Sequence, residues 1–121
     1  MNWTIILIAL AVLVAPILLK RMSQISAGAA VDHLKHGAQV IDVRSAGEFS
    51  SGHLRTAINI PLDQIETLVP LRVKDKNQVL LLHCQSGARS GAAKKKLAAL
   101  GYAEAYNLGS YDRAARIVGG V

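Results

Sequence analysis

Val79-Leu80-Leu81-Leu82-His83-Cys84-Gln85-Ser86-Gly87-Ala88-Arg89-Ser90 is the stretch on which the fold turns. Val79–Leu82 is a continuous apolar run of the kind that fills a central parallel strand buried on both faces. After Ser90, Ala92, Ala93, Leu97 and Leu100 mark a helix that Gly101 ends. The order is strand, tight loop, helix. Such a loop can wrap its backbone N–H groups around a point beyond the Cys84 sulfur. The helix N-terminus adds about half a positive charge there, and Arg89 adds a whole one. A thiol so placed has a lowered pKa and reacts as a thiolate near neutral pH. Gly87 supplies a left-handed backbone where a side chain would resist it, and Ser90 is expected to cap the helix that follows.

Working outward, helical and strand signals alternate, the pattern of an α/β domain with an open, mainly parallel sheet flanked by helices. Ser26 reads as the N-cap of a helix over Ala27–His36, stopped at Gly37. Gln39–Val43 reads as a buried strand, and Ser45-Ala46-Gly47-Glu48 has the spacing of a capping box that opens a short helical turn closed by Gly52. Ala57–Ile60 is a second strand ended by Pro61; Leu62, Ile65, Leu68 and Val69 then keep helical spacing up to Pro70, read as a breaker. A last helix is expected over Tyr111–Ile117. Cys84 thus sits at the C-terminal end of a central strand, where open α/β sheets place their ligand sites.

Length and composition narrow the function classes. The 121 residues allow one small domain, and 14 basic against 8 acidic side chains leave a net charge of +6. Aromatics make up only 4%, so a stacking surface for single-stranded nucleic acid has almost no material, and nucleic acid is not expected as a partner. The single cysteine excludes an internal disulfide, a Cys-x-x-Cys pair and a cysteine-built zinc site, and none of the four histidines has metal-ligand spacing with it. No metal is expected.

Trp3–Leu19 carries no charge and ends abruptly at Lys20-Arg21. This run is expected to form a membrane anchor over residues 1–20, followed by a short juxtamembrane linker at 21–24 and a folded domain over 25–121. Positive residues stay on the cytoplasmic side, which would put that domain in the cytosol. The alternative is export after signal cleavage, with Ala27-Gly28-Ala29 imitating a small-residue cleavage site.

Ile41-Asp42-Val43-Arg44, Glu48-Phe49, Gly52-His53-Leu54, Ala57–Pro61, the loop Cys84–Ser90, Leu100-Gly101-Tyr102 and Asn107-Leu108-Gly109 together resemble the rhodanese-like domains in order and spacing, from about Ile25 to Ala114. Arg55-Thr56 stands where that family commonly has Pro-Gly, and no tryptophan follows Gly109-Ser110.

The resemblance implies a sulfurtransferase. Cys84 would accept a sulfane sulfur as a persulfide, the amides of Gln85, Ser86, Gly87, Ala88 and Ser90 would hold it, and Arg89 would draw in the anionic donor. Donor and acceptor would be thiosulfate or a similar small anion and cyanide or a thiol, with no cofactor. Asp42, Arg44 and Glu48 are expected as structural support, with Arg44 paired to Glu48 beneath the loop. His83 is expected to pack and not to activate the thiol, because adjacent strand residues point to opposite faces. Two alternatives accompany this reading: a membrane-tethered persulfide carrier or non-catalytic interaction module, and a phosphatase-like activity. Related phosphatases place five residues between cysteine and arginine, whereas four separate Cys84 from Arg89, which favours sulfur.

Overall fold

A computed structural model describes residues 2–120. Four strands, β1 (Gln39–Asp42), β2 (Ala57–Asn59), β3 (Leu80–His83) and β4 (Ala105–Gly109), form one sheet in the order β2-β1-β3-β4. Every pairing is parallel, with Ile41 opposite both Ile58 and Leu82, and Leu82 opposite Asn107. The helices are α1 (Trp3–Ser23), α2 (Ala27–Lys35), α3 (Ala46–Ser51), α4 (Ile65–Arg72), α5 (Ala88–Ala99) and α6 (Tyr111–Gly119), with a 3-10 turn at Leu62–Gln64 before α4. This is the expected open parallel α/β architecture.

Local chemistry sets the helix starts. Ser26 accepts the Ala29 N–H and caps α2. Ser45 accepts the Glu48 N–H while the Glu48 carboxylate takes the Ser45 N–H, which closes the capping box of α3. Pro70 does not break α4. It costs the helix the bond its own N–H would have made, yet α4 runs on to Arg72, where the Val73 N–H closes on the Val69 carbonyl at 2.7 Å.

Strand alternation sends side chains to two cores. On one face Ile41, Leu80, Leu82 and Cys84 pack with Ile65 and Val69 of α4 and Ala93 and Leu97 of α5. On the other, Val40, Leu81 and Leu108 pack with Ala30 of α2 and Ala114 and Ile117 of α6. β3, buried at all four positions, is the shared spine.

The N-terminal expectation needs correction. α1 continues through Lys20-Arg21 to Ser23, so most of the stretch drawn as a linker is helix. Among the described residues no helix is long and apolar enough to cross a membrane, and the single-pass anchor is not supported. The uncharged run Trp3–Leu19 extends about 26 Å as a helix, short of the ~30 Å hydrocarbon layer. Its side chains nonetheless stay uncovered: Trp3 is 71% exposed, Leu13 68% and Leu19 64%. The chain after α1 is fastened to the sheet. Gln24 bridges Asn107, the Ile25 N–H donates to the Asn107 carbonyl at 2.9 Å, and the Arg113 guanidinium donates to the carbonyls of Ile25 and Leu108.

Candidate active site

The end of β3, the loop after it and the start of α5 converge on the Cys84 sulfur. The Cys84 N–H donates to the Gly109 carbonyl at 3.2 Å, which ties the start of the loop to the end of β4. Gly87 then turns left-handed, with φ of +96°, at the N-cap of α5. That turn aims its N–H at the Cys84 sulfur, 3.0 Å away. A side chain at Gly87 would be strained by the backbone and would press on the Gln24 amide.

Ser90 does not cap α5. The helix begins at Ala88, two residues before it, so the Ser90 hydroxyl lies within the first turn and points into the loop. There it lies 3.5 Å from the Cys84 sulfur, 3.1 Å from the Gly87 carbonyl and 2.7 Å from Asn107 Oδ1.

Cys84 is fully buried, and burial alone would push its thiol up. The Ser90 hydroxyl and the amides of Ser90, Gly87 and Ser86 together outweigh that, and the thiol lies below its ordinary value of 9.0. The expected ring of amides is therefore present in part. Gln85 uses its carbonyl to accept the Tyr111 N–H at 3.3 Å, and the Ala88 N–H is turned to the Ser86 hydroxyl at 3.4 Å.

The acidic and basic partners differ from expectation. Arg44 does not pair with Glu48. Its Nε and Nη2 fork onto the Asp42 carboxylate at 2.7–3.0 Å, and Nη2 also donates to the Gly52 carbonyl. Glu48 instead takes both guanidinium nitrogens of Arg89, at 2.7 and 3.0 Å. The Arg89 contact, helped by the Ser45 N–H, holds the Glu48 carboxyl down at about 2. Arg89 thus anchors the loop to α3, still close enough to Cys84 to feel its charge.

On the opposite face of β3, His83 is fully buried, its Nδ1 near the Cys84 carbonyl and its Nε2 without a hydrogen bond, 3.7 Å from Asp42 Oδ2. Burial pushes its pKa down against the pull of Asp42. The ring packs edge-on against Tyr111, whose other neighbour is the Arg44 guanidinium 4.7 Å from the ring centre. Its packing role agrees with the strand alternation.

Two residues went without a role in the sequence reading: Asn107, 2% exposed and bonded into the loop, and Tyr111. The available signal for Asn107 was an amide side chain inside a strand, where asparagine is disfavoured unless something holds it. Beside the loop lies a cleft of about 500 Å³ lined by Ser86, Gly87, Ala88, Gly91, Lys94 and Lys95 among others. Of the three lysines of α5, Lys96 pairs with Glu66 at 2.9 Å. Among the described residues no cluster of His, Cys, Asp and Glu could hold a metal ion.

Comparison with known proteins agrees with this geometry. The family model described as rhodanese-like domain matches residues 26–114. Thiosulfate sulfurtransferase PspE of Escherichia coli is 38% identical over 69 residues, which are 57% of this chain and 66% of that protein. The chain thus spans just under two thirds of that relative's length. A solved structure described as rhodanese with anions from E. coli is 34% identical with a TM-score of 0.61, over 64% of this chain and 91% of that one. The human single-domain sulfurtransferase TSTD1 is 27% identical with a TM-score of 0.65, over 78% of this chain and 96% of that one.

Proposed function

The chain belongs to the rhodanese-like domain family, and from that premise we propose that it is a sulfurtransferase working through a persulfide on Cys84. The Cys84 thiolate attacks the outer sulfur of thiosulfate or a similar anionic sulfane donor. The new S–S bond forms as the donor's S–S bond breaks, and sulfite leaves with the electron pair. Cyanide or a thiolate then takes the terminal sulfur and returns Cys84 as thiolate. Charge and atoms balance in both steps without a cofactor.

One observation carries the reading. The Cys84 sulfur receives the Gly87 N–H at 3.0 Å within a loop too short, at four intervening residues, for the phosphate cradle of the related phosphatases. A negative sulfur is stabilised there by fixed dipoles that need no rearrangement during the reaction. Arg89 serves as the loop's anchor and as a source of positive potential, shared with Glu48, while Lys94 and Lys95 beside the cleft favour the approach of an anion.

The test is intact mass after incubation with thiosulfate. A gain of one sulfur atom, about 32 Da, removed by cyanide, is expected; Cys84→Ser should show neither the gain nor turnover while unfolding at the same temperature. Turnover surviving in Cys84→Ser rejects the mechanism.

The bare apolar surface of α1 favours a second reading of the same chemistry: a persulfide carrier tethered to a lipid surface by that helix without crossing it. Persulfide formation with slow release to small acceptors, together with flotation on lipid vesicles, supports the carrier. Rapid turnover by a chain that stays off vesicles rejects it.

A further inference from the structure

Asn107 stands in β4 opposite Leu82 and is almost fully buried, yet its amide bonds two groups of the cysteine loop and one at the end of β4. Oδ1 accepts the Gly109 N–H at 2.9 Å, and Nδ2 donates to the Gly87 carbonyl at 3.1 Å. These two bonds fix which way the amide faces, since a flipped amide would set N–H against N–H and oxygen against oxygen. Oδ1 is therefore an acceptor for the Ser90 hydroxyl, 2.7 Å away. Gly109 in turn accepts the Cys84 N–H, so one side chain joins the start of the loop, its left-handed turn and the first turn of α5. Space for it is reserved: a Cβ on Gly91 would come within 3.3 Å of Nδ2.

We propose that Asn107 is a positioning residue for the sulfur-transfer step, holding the Gly87 peptide and the Ser90 hydroxyl where they face the Cys84 sulfur. The inference rests on the sulfurtransferase reading for its purpose, but not for its test. Ser90 has one proton and three acceptors in reach. Without the Asn107 amide, the Gly87 carbonyl keeps the Gly91 N–H at 3.1 Å but loses the Nδ2 donor, and the Ser90 proton is released from Oδ1. The Gly87 turn loosens at the same time. The loosened turn withdraws the Gly87 N–H from the thiolate.

The test is the pH dependence of Cys84 alkylation by iodoacetamide in the full chain, which needs no sulfur donor. Asn107→Ala is expected to raise the alkylation midpoint by about one pH unit, with cooperative unfolding retained. Because the Gly87 turn carries the effect, the rise should persist when Asn107→Ala is made in a Ser90→Ala background. A merely structural role predicts an unchanged midpoint, and that result, or a rise that vanishes in the Ser90→Ala background, overturns the proposal. Should Asn107→Ala fail to fold, Asn107→Asp keeps the shape but turns an oxygen toward the Gly87 carbonyl. The midpoint must then rise, and an unchanged one overturns the proposal. Absence of the thiosulfate mass gain in the unaltered chain would reject the sulfurtransferase reading while leaving the alkylation comparison intact.

Discussion

At the scale of single residues, the buried charges beneath the loop decide how the domain answers to pH. His83 has no exposed surface, and its folded pKa lies below the ordinary 6.5 because burial disfavours the charged ring more than Asp42 favours it. A histidine depressed in the folded state binds its proton preferentially in the unfolded chain. Its contribution is complete above about 6.5 and is lost as pH falls below that value, until the folded pKa is reached. Thermal unfolding followed by circular dichroism should show the melting temperature falling through that window, with a shallower fall in His83→Gln. Equal slopes would mean that another group carries the effect. Glu48 acts in the same direction at lower pH: its contribution is present above 4.5 and is lost as pH falls toward about 2. At neutral pH Glu48→Gln removes the charge that anchors Arg89, so thiosulfate-dependent persulfide formation should slow several-fold and the melting temperature should fall modestly. An unchanged rate would show that the loop holds its shape without the pair.

At the scale of elements, α3 depends on one reciprocal cap. Ser45→Ala leaves the Glu48 N–H without its acceptor and should cost about 1 kcal/mol in urea unfolding; a cost near zero would show that Arg89 alone holds α3 in place. This cap was readable in the chain because both partners lie within four residues, as were the cap at Ser26, the strands β1 and β2 bounded by turn residues, and β3 with its continuous apolar run. The partner of Glu48 was not readable. Arg44 is four residues away and Arg89 forty-one, and only the fold brings the second closer, while Asp42 takes up the first. Ser90 was misread for a related reason. A left-handed Gly87 starts α5 early, and that single backbone angle turns a supposed cap into an inward-facing donor. β4 sets Tyr106 and Asn107 among Ala105, Leu108 and Gly109 and gives no apolar run to recognise, so the residue that clamps the loop went without a role. Cys84 itself was placed correctly, because a strand ending in a small polar loop before a helix leaves few directions for the amides that follow.

At the scale of the molecule, the chain carries two surfaces of opposite character. The folded part presents lysines beside the loop, while α1 holds out Leu10, Leu13 and Ile17, each more than half exposed. Helices this apolar are rarely left bare in water, and α1 adds little to either core of the sheet. Its burial elsewhere would stabilise an association by roughly 25 cal/mol for each Å² covered. Replacing Leu10, Leu13 and Ile17 by serine should therefore move the chain from a non-ionic detergent phase into the aqueous phase, without changing melting temperature or persulfide formation. The two readouts separate the possibilities. A lowered melting temperature would show that α1 supports the sheet through Gln24 and Ile25, which join it to β4. Continued partition into detergent would place the apolar contact elsewhere on the molecule. Partition lost with stability and persulfide chemistry intact would make α1 a separate device, one that sets where the sulfur is delivered while β3, β4 and α5 set how it is held.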